Sequence, residues 1–340
     1  KDMCSWAGVE CHIHSASEVG GGSGGGGIVD MVREIRLPNN NFGGTLPREI
    51  GKALTHLSVL DLGDNIELKG NFPESIWELK ELAVLKLYNL DLKGTLPPSV
   101  GALTHLRELD LSGNQLFGSI PPELGNLTSL RSLNLSGNFL RGSIPASLGN
   151  LYLLSTLLLD SNDLTGPIPD VALGGGLENL IRLRLDQNSL TGPVPSDTLS
   201  LPYLEEFNAC SNELAGPLPS QTFDDAGGSL SELRTLDLCD NYLTGTIPPT
   251  LGNMRSLGTL ALDANRFVGT IPSSLGRIAE LKTAEFHDNQ LNGTVPEELC
   301  KLRAAAKNDD DHGLHTLTAD CKGVGASIKC DCCTYCAGHV

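Results

Sequence analysis

At 340 residues the chain is long enough for two globular domains, and 40 % hydrophobic residues can fill a core. Only 4 % are aromatic, whereas 39 residues are glycine and 19 proline, so that core is aliphatic and broken by many turns. A formal charge of −17 argues against a nucleic-acid backbone or an anionic membrane surface as partner, and no apolar run is long enough to span a bilayer.

The N-terminal segment, residues 1–27, carries Cys4-Ser5-Trp6-Ala7-Gly8-Val9-Glu10-Cys11 and ends in a Gly/Ser run over residues 20–27. Lys1-Asp2-Met3-Cys4 is not the charged-then-apolar start of a signal peptide, so an already processed chain is expected. The Gly/Ser run formally matches G-x-S-x-G and G-x-G-x-x-G. With no strand leading in and no helix following, a flexible loop explains both matches.

From residue 28 to residue 298 the chain repeats a template, L-x-x-L-x-L-x-x-N-x-L-x-G-x-(I/L/V)-P, mostly in steps of 24 residues. Eleven copies begin at Val32, Leu57, Leu82, Leu106, Leu130, Leu154, Leu180, Leu204, Leu233, Leu257 and Leu281. Each x-L-x-L-x segment alternates, which predicts a short strand with leucines inward, stacked in parallel on its neighbours at about 4.8 Å. One copy cannot cover its own apolar face, so stability is shared between neighbours. The template asparagines, Asn40, Asn65, Asn114, Asn138, Asn162, Asn188, Asn212, Asn241, Asn265 and Asn289, are expected to satisfy loop amides and carbonyls. The third copy places Leu90 there and Asn89 one position earlier, so its hydrogen bonding should differ locally. Extra residues at Leu173–Gly176 and Asp224–Ser229 predict Gly-rich loops bulging from the convex side.

This is the leucine-rich repeat signature, and its L-x-G-x-I-P half resembles the plant-type class of receptor ectodomains and polygalacturonase-inhibiting proteins. The resemblance implies an α/β repeat solenoid, a right-handed superhelix with a parallel β-sheet on its concave face and disulfide caps at both ends. Cys4 to Cys11 looks like the C-x-W-x-G-V-x-C cap of that class, in which the two cysteines are bonded.

Of the ten cysteines eight remain to be placed, and a disulfide-bearing N-terminal cap argues for an oxidising compartment. Cys210 and Cys239 occupy the same strand position in consecutive copies, pointing away from the leucines, and neighbouring strands bring Cα atoms near 5 Å, so a rung-to-rung disulfide is expected. Residues 299–340 hold Cys300, Cys321, Cys330, Cys332, Cys333 and Cys336 and resemble the C-terminal cap of secreted leucine-rich repeat proteins from diatom-like algae. Six cysteines allow fifteen pairings, among which sequence does not choose. Zinc is the competing chemistry, but C-x-C-C-x-x-C lacks a second spaced C-x-x-C. Asn126, Asn134 and Asn292 head N-glycosylation sequons.

No catalytic motif, metal-ligand spacing or cofactor loop stands out. His56 and His105 recur in matching Leu-Thr-His-Leu contexts, which repetition explains, and Asp309, Asp310, Asp311, His312 and His315 read as a solvated loop. The informative surface is the set of outward strand positions, free to vary without harming the core. Its candidate ligand-binding residues are Lys86, Tyr88, Asp110, Asp160, Arg184, Asp186, Asn208, Asp237, Asp263, Glu285 and His287. Asp160, Asp186, Asp237 and Asp263, with Asp240 and Glu285, make its C-terminal half acidic. Leu-x-Leu-Asp is also ordinary filler in such repeats. A functional patch would take a basic ligand, with Arg184 reading a carboxylate on it.

The expectation is therefore a secreted, non-enzymatic recognition module that binds an extracellular protein or peptide through its concave or lateral surface, with no cofactor and no metal. A structural cell-wall or matrix glycoprotein that self-assembles or binds polysaccharide is the alternative, and an inhibitor of wall-degrading enzymes the third reading.

Overall fold

A computed structural model describes residues 9–14, 29–170, 176–220, 232–306, 313–322 and 328–338. The chain falls into two compact units, Lys1–Leu140 and Arg141–Val340.

In the first unit the strands Val29–Arg36, Val59–Asp61, Val84–Lys86, Glu108–Asp110 and Ser132–Asn134 run parallel, with Leu60, Leu85, Leu109 and Leu133 in register and fully buried. Strand Val9–His14 pairs antiparallel with Val29–Arg36 at the N-terminal end. A second ladder, Gly43–Gly44, Glu67–Asn71, Asp91–Gly94 and Gln115–Gly118, follows each rung's turn and buries Leu68, Leu92 and Leu116. Each Leu so buried contributes on the order of 1.5–3 kcal/mol, as an upper estimate.

In the first unit the return path is a short α-helix, Ile50–Ala53, after the first rung and a 3₁₀ turn in Glu74–Glu78, Pro98–Ala102 and Pro122–Asn126. The template Pro fixes an extended residue just before the turn, and only about five residues separate it from the next Leu. That leaves room for i→i+3 bonds, such as Leu124 N to Pro121 O at 3.1 Å and Leu127 N to Leu124 O at 3.1 Å.

The asparagine ladder ties rung to rung. Asn114 Nδ2 donates to Leu87 O at 2.7 Å in the preceding rung and to Leu111 O at 3.0 Å in its own, while its Oδ1 accepts from Leu92 N at 3.1 Å. Each Asn thus satisfies groups that would cost about 1–3 kcal/mol apiece if buried unpaired. Asn40 is exposed and instead bonds Pro38 O, because among the described residues no parallel rung precedes it. In the third copy the change expected from Leu90 takes a definite form. Leu90 is buried, and Leu68 N turns back to Asn65 O at 2.8 Å in place of an Asn side chain. Asn89 occupies the left-handed position before the ladder site, φ +52°, a conformation Asn tolerates well, and its Nδ2 donates to Asp64 Oδ1 at 2.7 Å.

In the second unit the parallel strands are Thr156–Leu158, Arg182–Arg184, Glu206–Asn208, Thr235–Asp237, Thr259–Ala261 and Thr283–Glu285. Leu183, Phe207, Leu236, Leu260 and Ala284 share one register and are buried. The sheet continues into the Cys-rich segment. Thr316–Lys322 pairs with Thr283–Glu285, and Tyr335–Gly338 pairs with Thr316–Lys322. Leu314, Leu317 and Ala319 bury themselves as L-x-x-L-x-A, a further rung, and helix Glu297–Ala306 precedes it. The ladder position of this rung holds Lys322 instead of Asn, and Asp320, two residues earlier, accepts with its two carboxylate oxygens from Asp288 N at 2.8 Å and Asn289 N at 3.0 Å, N–H groups that in the preceding rung bond to backbone carbonyls.

Cys4, the side chain of Cys11, the Gly/Ser run, residues 173–175, the 224–229 insertion and Asp309–His312 lie outside the described residues.

Candidate ligand-binding face

The outward strand positions form three parallel columns on the sheet. In the first unit they bring together Lys86, Tyr88 and Asp110. The Lys86 ammonium lies 2.7 Å from Glu108, which with Asp61 and Asp110 holds its pKa above the usual lysine value against the opposing effect of burial. Tyr88 lies flat against Gly63, where any Cβ would come within 2.1 Å of the ring, so glycine there is a condition of the tyrosine's pose. Partial burial and the carboxylates of Asp61, Asp64 and Asp110 raise the phenol's pKa.

Several column residues have a structural duty. Asp110 Oδ1 accepts from Ser112 N at 3.0 Å and Ser112 Oγ at 2.6 Å; Asn208 Oδ1 accepts from Cys210 N at 3.0 Å, and Asp237 Oδ1 from Cys239 N at 3.2 Å. Each Asx side chain closes the turn out of its own strand, which is why Asp and Asn recur there.

In the second unit Arg184 is surrounded by acids. Its Nε and Nη2 both reach Asp186 at 3.2 Å, and Asp160 and Glu206 lie at 3.9 and 4.0 Å. The Arg184 guanidinium, expected to read a ligand carboxylate, is thus held within the protein by the buried Asp186 while its side chain stays 39 % exposed. Burial pushes the Asp160 pKa up, and Arg184 partly offsets it.

The rungs that follow show no such cation among the described residues. Asp237, Asp263 and Glu285 all have pKa values raised, chiefly by burial and then by neighbouring carboxylates: Asp263, Asp186 and Glu285 for Asp237, Asp288 and Asp240 for Asp263, and Asp263 for Glu285. Among the described residues no Lys or Arg forms an ion pair with any of the three; only His287 Nε2 approaches Asp263, at 3.7 Å. His287 is itself held by a 2.8 Å hydrogen bond to Thr318, and Asp263 Oδ1 is buried with no hydrogen-bond partner. The Cys210–Cys239 disulfide, Cα–Cα 4.5 Å, lies in the column between Asp186 and Asp263 and ties the two middle rungs together.

Thr235, Thr259, Thr283 and Thr316 are in register along the first column, a file that single-residue reasoning passed over, as it did Thr318. The signal for Thr316 and Thr318 was the Leu314-x-x-Leu317-x-Ala319 pattern, masked by Ala where Leu was sought. Of the sequon asparagines, Asn126 and Asn292 are exposed, while Asn134 is half-buried on the sheet face, its Oδ1 accepting from Ser136 N at 3.1 Å. His56 faces Glu81 at 3.0 Å and His105 the Lys80 carbonyl at 3.2 Å, each between successive rungs.

With this geometry in place, residues 31–141 match the family described as leucine-rich repeat region, and residues 232–254 match Leucine Rich Repeat. This is a leucine-rich repeat protein. Its fold matches that of plant receptor ectodomains. It is similar to a TDR receptor at 32 % identity and TM-score 0.73, covering 79 % of this chain and 45 % of that one. The plant peptide hormone receptor RGFR1, solved in complex with RGF2, is 30 % identical with TM-score 0.65, over 83 % of this chain and 50 % of the receptor. A plant ice-binding protein is 26 % identical with TM-score 0.59, over 100 % of this chain and 90 % of its own. The chain thus spans about half the length of the two receptors. No curated protein sequence matches it. Among the described residues no helix is long and apolar enough to cross a membrane.

Proposed function

We propose that the protein is an extracellular, non-enzymatic recognition module whose sheet face over Asp237, Asp263 and Glu285 binds a basic peptide or protein segment. One observation carries this reading: three partly desolvated carboxylates lie together without a cation, and one of them keeps a buried oxygen without a hydrogen bond. Burying charge is costly unless it is paired, so an arriving ammonium or guanidinium gains by completing the site. The likeness to a receptor solved with a peptide hormone supports a peptide-sized ligand, and the disulfides support an oxidising, extracellular setting.

The test is calorimetric titration with an Arg/Lys-rich nonapeptide of defined sequence, alongside its acidic counterpart. The triple variant D237N/D263N/E285Q should lose at least tenfold in affinity for the basic probe. Equal affinity in the wild type and the triple variant refutes the assignment.

A second reading rests on the threonine file. Thr235, Thr259, Thr283 and Thr316 repeat one hydroxyl and one methyl at the strand spacing of about 4.8 Å, a regular template for ordered water, in a protein similar over its whole length to an ice-binding protein. Recrystallisation assays on frozen solutions test it. Wild type should restrain ice-grain growth and Thr259→Lys should not; unrestrained growth in the wild type ends this reading.

A further inference from the structure

The C-terminal segment closes on three disulfides: Cys300–Cys332, Cys321–Cys336 and Cys330–Cys333. They differ in what they hold. Cys300–Cys332 spans 32 residues and ties helix Glu297–Ala306 to the end of the chain. Cys321–Cys336 spans 15 and clamps strand Tyr335–Gly338 to strand Thr316–Lys322. Cys330–Cys333 spans 3, so in the chain-entropy account its closure restrains the unfolded chain least and its opening costs the fold least.

The second observation is proximity. The sulfurs of Cys321, Cys330 and Cys333 lie within 4.8 Å of one another, and all three residues are partly open to solvent. A sulfur at that distance needs only a modest side-chain rotation to reach bonding contact with the neighbouring disulfide.

We propose that Cys330–Cys333 is a thiol–disulfide exchange site for small dithiols and that it relays exchange to Cys321–Cys336, releasing the terminal strand. In the first step a dithiol thiolate attacks one sulfur of Cys330–Cys333. A mixed disulfide forms and the other cysteine leaves as thiolate. The second sulfur of the dithiol then attacks the mixed disulfide. The dithiol ends as a cyclic disulfide, oxidised by two electrons, and Cys330 and Cys333 end as thiols carrying its two protons. In the second step the thiolate of Cys330 or Cys333 attacks Cys321 Sγ. The new bond to Cys321 forms as the Cys321–Cys336 bond breaks, and Cys336 leaves as thiolate and takes up a proton, with no net change in electrons. Strand Tyr335–Gly338 then loses its own disulfide and is held, among the described residues, by its backbone pairing, the Thr334 bonds to Leu317 and the new disulfide from Cys321 to the preceding segment, so its far end can lift from the edge of Thr316–Lys322.

The experiment titrates the full native chain with dithiothreitol, traps free thiols by alkylation and maps them by mass spectrometry. At the lowest effective concentration the trapped thiols should be Cys336 with one of Cys330 and Cys333, the other being joined to Cys321. Cys210–Cys239 and Cys300–Cys332 should stay closed. The double variant C330S/C333S keeps the other clamps, and in it Cys336 release should require at least tenfold more dithiothreitol. Opening of Cys210–Cys239 or Cys300–Cys332 first, or trapping of Cys330 and Cys333 with Cys336 still bonded, overturns the relay. So does unchanged Cys336 release in the double variant, or a different pairing in the untreated protein.

Discussion

Arg184 and Ala261 occupy the same place in their rungs, the last residue of a three-residue strand, and the carboxylates around them differ accordingly. Around Arg184 the fold supplies its own counter-charge, so Asp160, Asp186 and Glu206 form a closed network. Around Ala261, which pairs with Asp237 on one side and Glu285 on the other, no Lys or Arg among the described residues fills that role, and only His287 comes near Asp263. The two stretches share one backbone design and nearly the same density of acids, so acidity alone does not mark a binding surface. What marks it is acidity the protein leaves uncompensated.

Placing an arginine where the second stretch lacks one is the strongest way to break this contrast. Ala261→Arg should convert the open cluster into a copy of the closed one and cost the basic nonapeptide roughly 30-fold in affinity, about 2 kcal/mol. Calorimetry of that variant decides the point, since unaltered binding would mean that the cluster is not where the peptide lands.

Opening the closed stretch is the converse and the smaller effect. Arg184→Gln leaves a buried Asp186 and two neighbours repelling one another. Because the Arg184 side chain is 39 % exposed, solvent screening limits the loss to about 1 kcal/mol, read as a lower denaturation midpoint. The same variant should gain affinity for the basic probe by a fewfold. A variant that is as stable as the wild type and binds no better would show that the Arg184 network is ornamental.

The contrast was only half legible in the sequence. Leucine spacing announced the rungs, because a period of 24 with L-x-x-L-x-L has one economical burial solution, and the column of outward residues followed from strand alternation. The in-register neighbours Cys210 and Cys239 were equally readable, since a shared strand position fixes their separation. Which acids were compensated was not readable, because ion pairing depends on side-chain reach across rungs. Arg184 bonds to Asp186 two residues on, while Lys86 bonds across a rung to Glu108. The last rung escaped notice for another reason: Ala319 replaces a template Leu by filling a smaller space, Lys322 stands at the Asn position, and Asp320 accepts two backbone N–H groups of the preceding rung with its side chain.

Acidity offers the last and smallest test. Asp237, Asp263 and Glu285 titrate above their ordinary values in the folded protein, so over the window between ordinary and raised values the native state holds more protons than the unfolded chain. Stability contributed by these groups is therefore greatest at the acidic side of that window and is lost as pH rises through it. Glu81, whose pKa is lowered by His56 and Arg33 against the effect of burial, works in the opposite sense, its contribution being lost as pH falls. Thermal midpoints of the wild type should decline by a few degrees from mildly acidic to neutral pH, and D237N/D263N/E285Q should flatten that decline. Asp160→Asn should flatten it less, because Arg184 already offsets part of the burial at that site. Binding of the basic probe should move the other way, strengthening as pH rises through the same window, since only the ionised carboxylates attract it. A wild type whose stability and probe affinity both rise with pH would mean that these carboxylates are compensated in solution, and the difference between the two stretches would be lost.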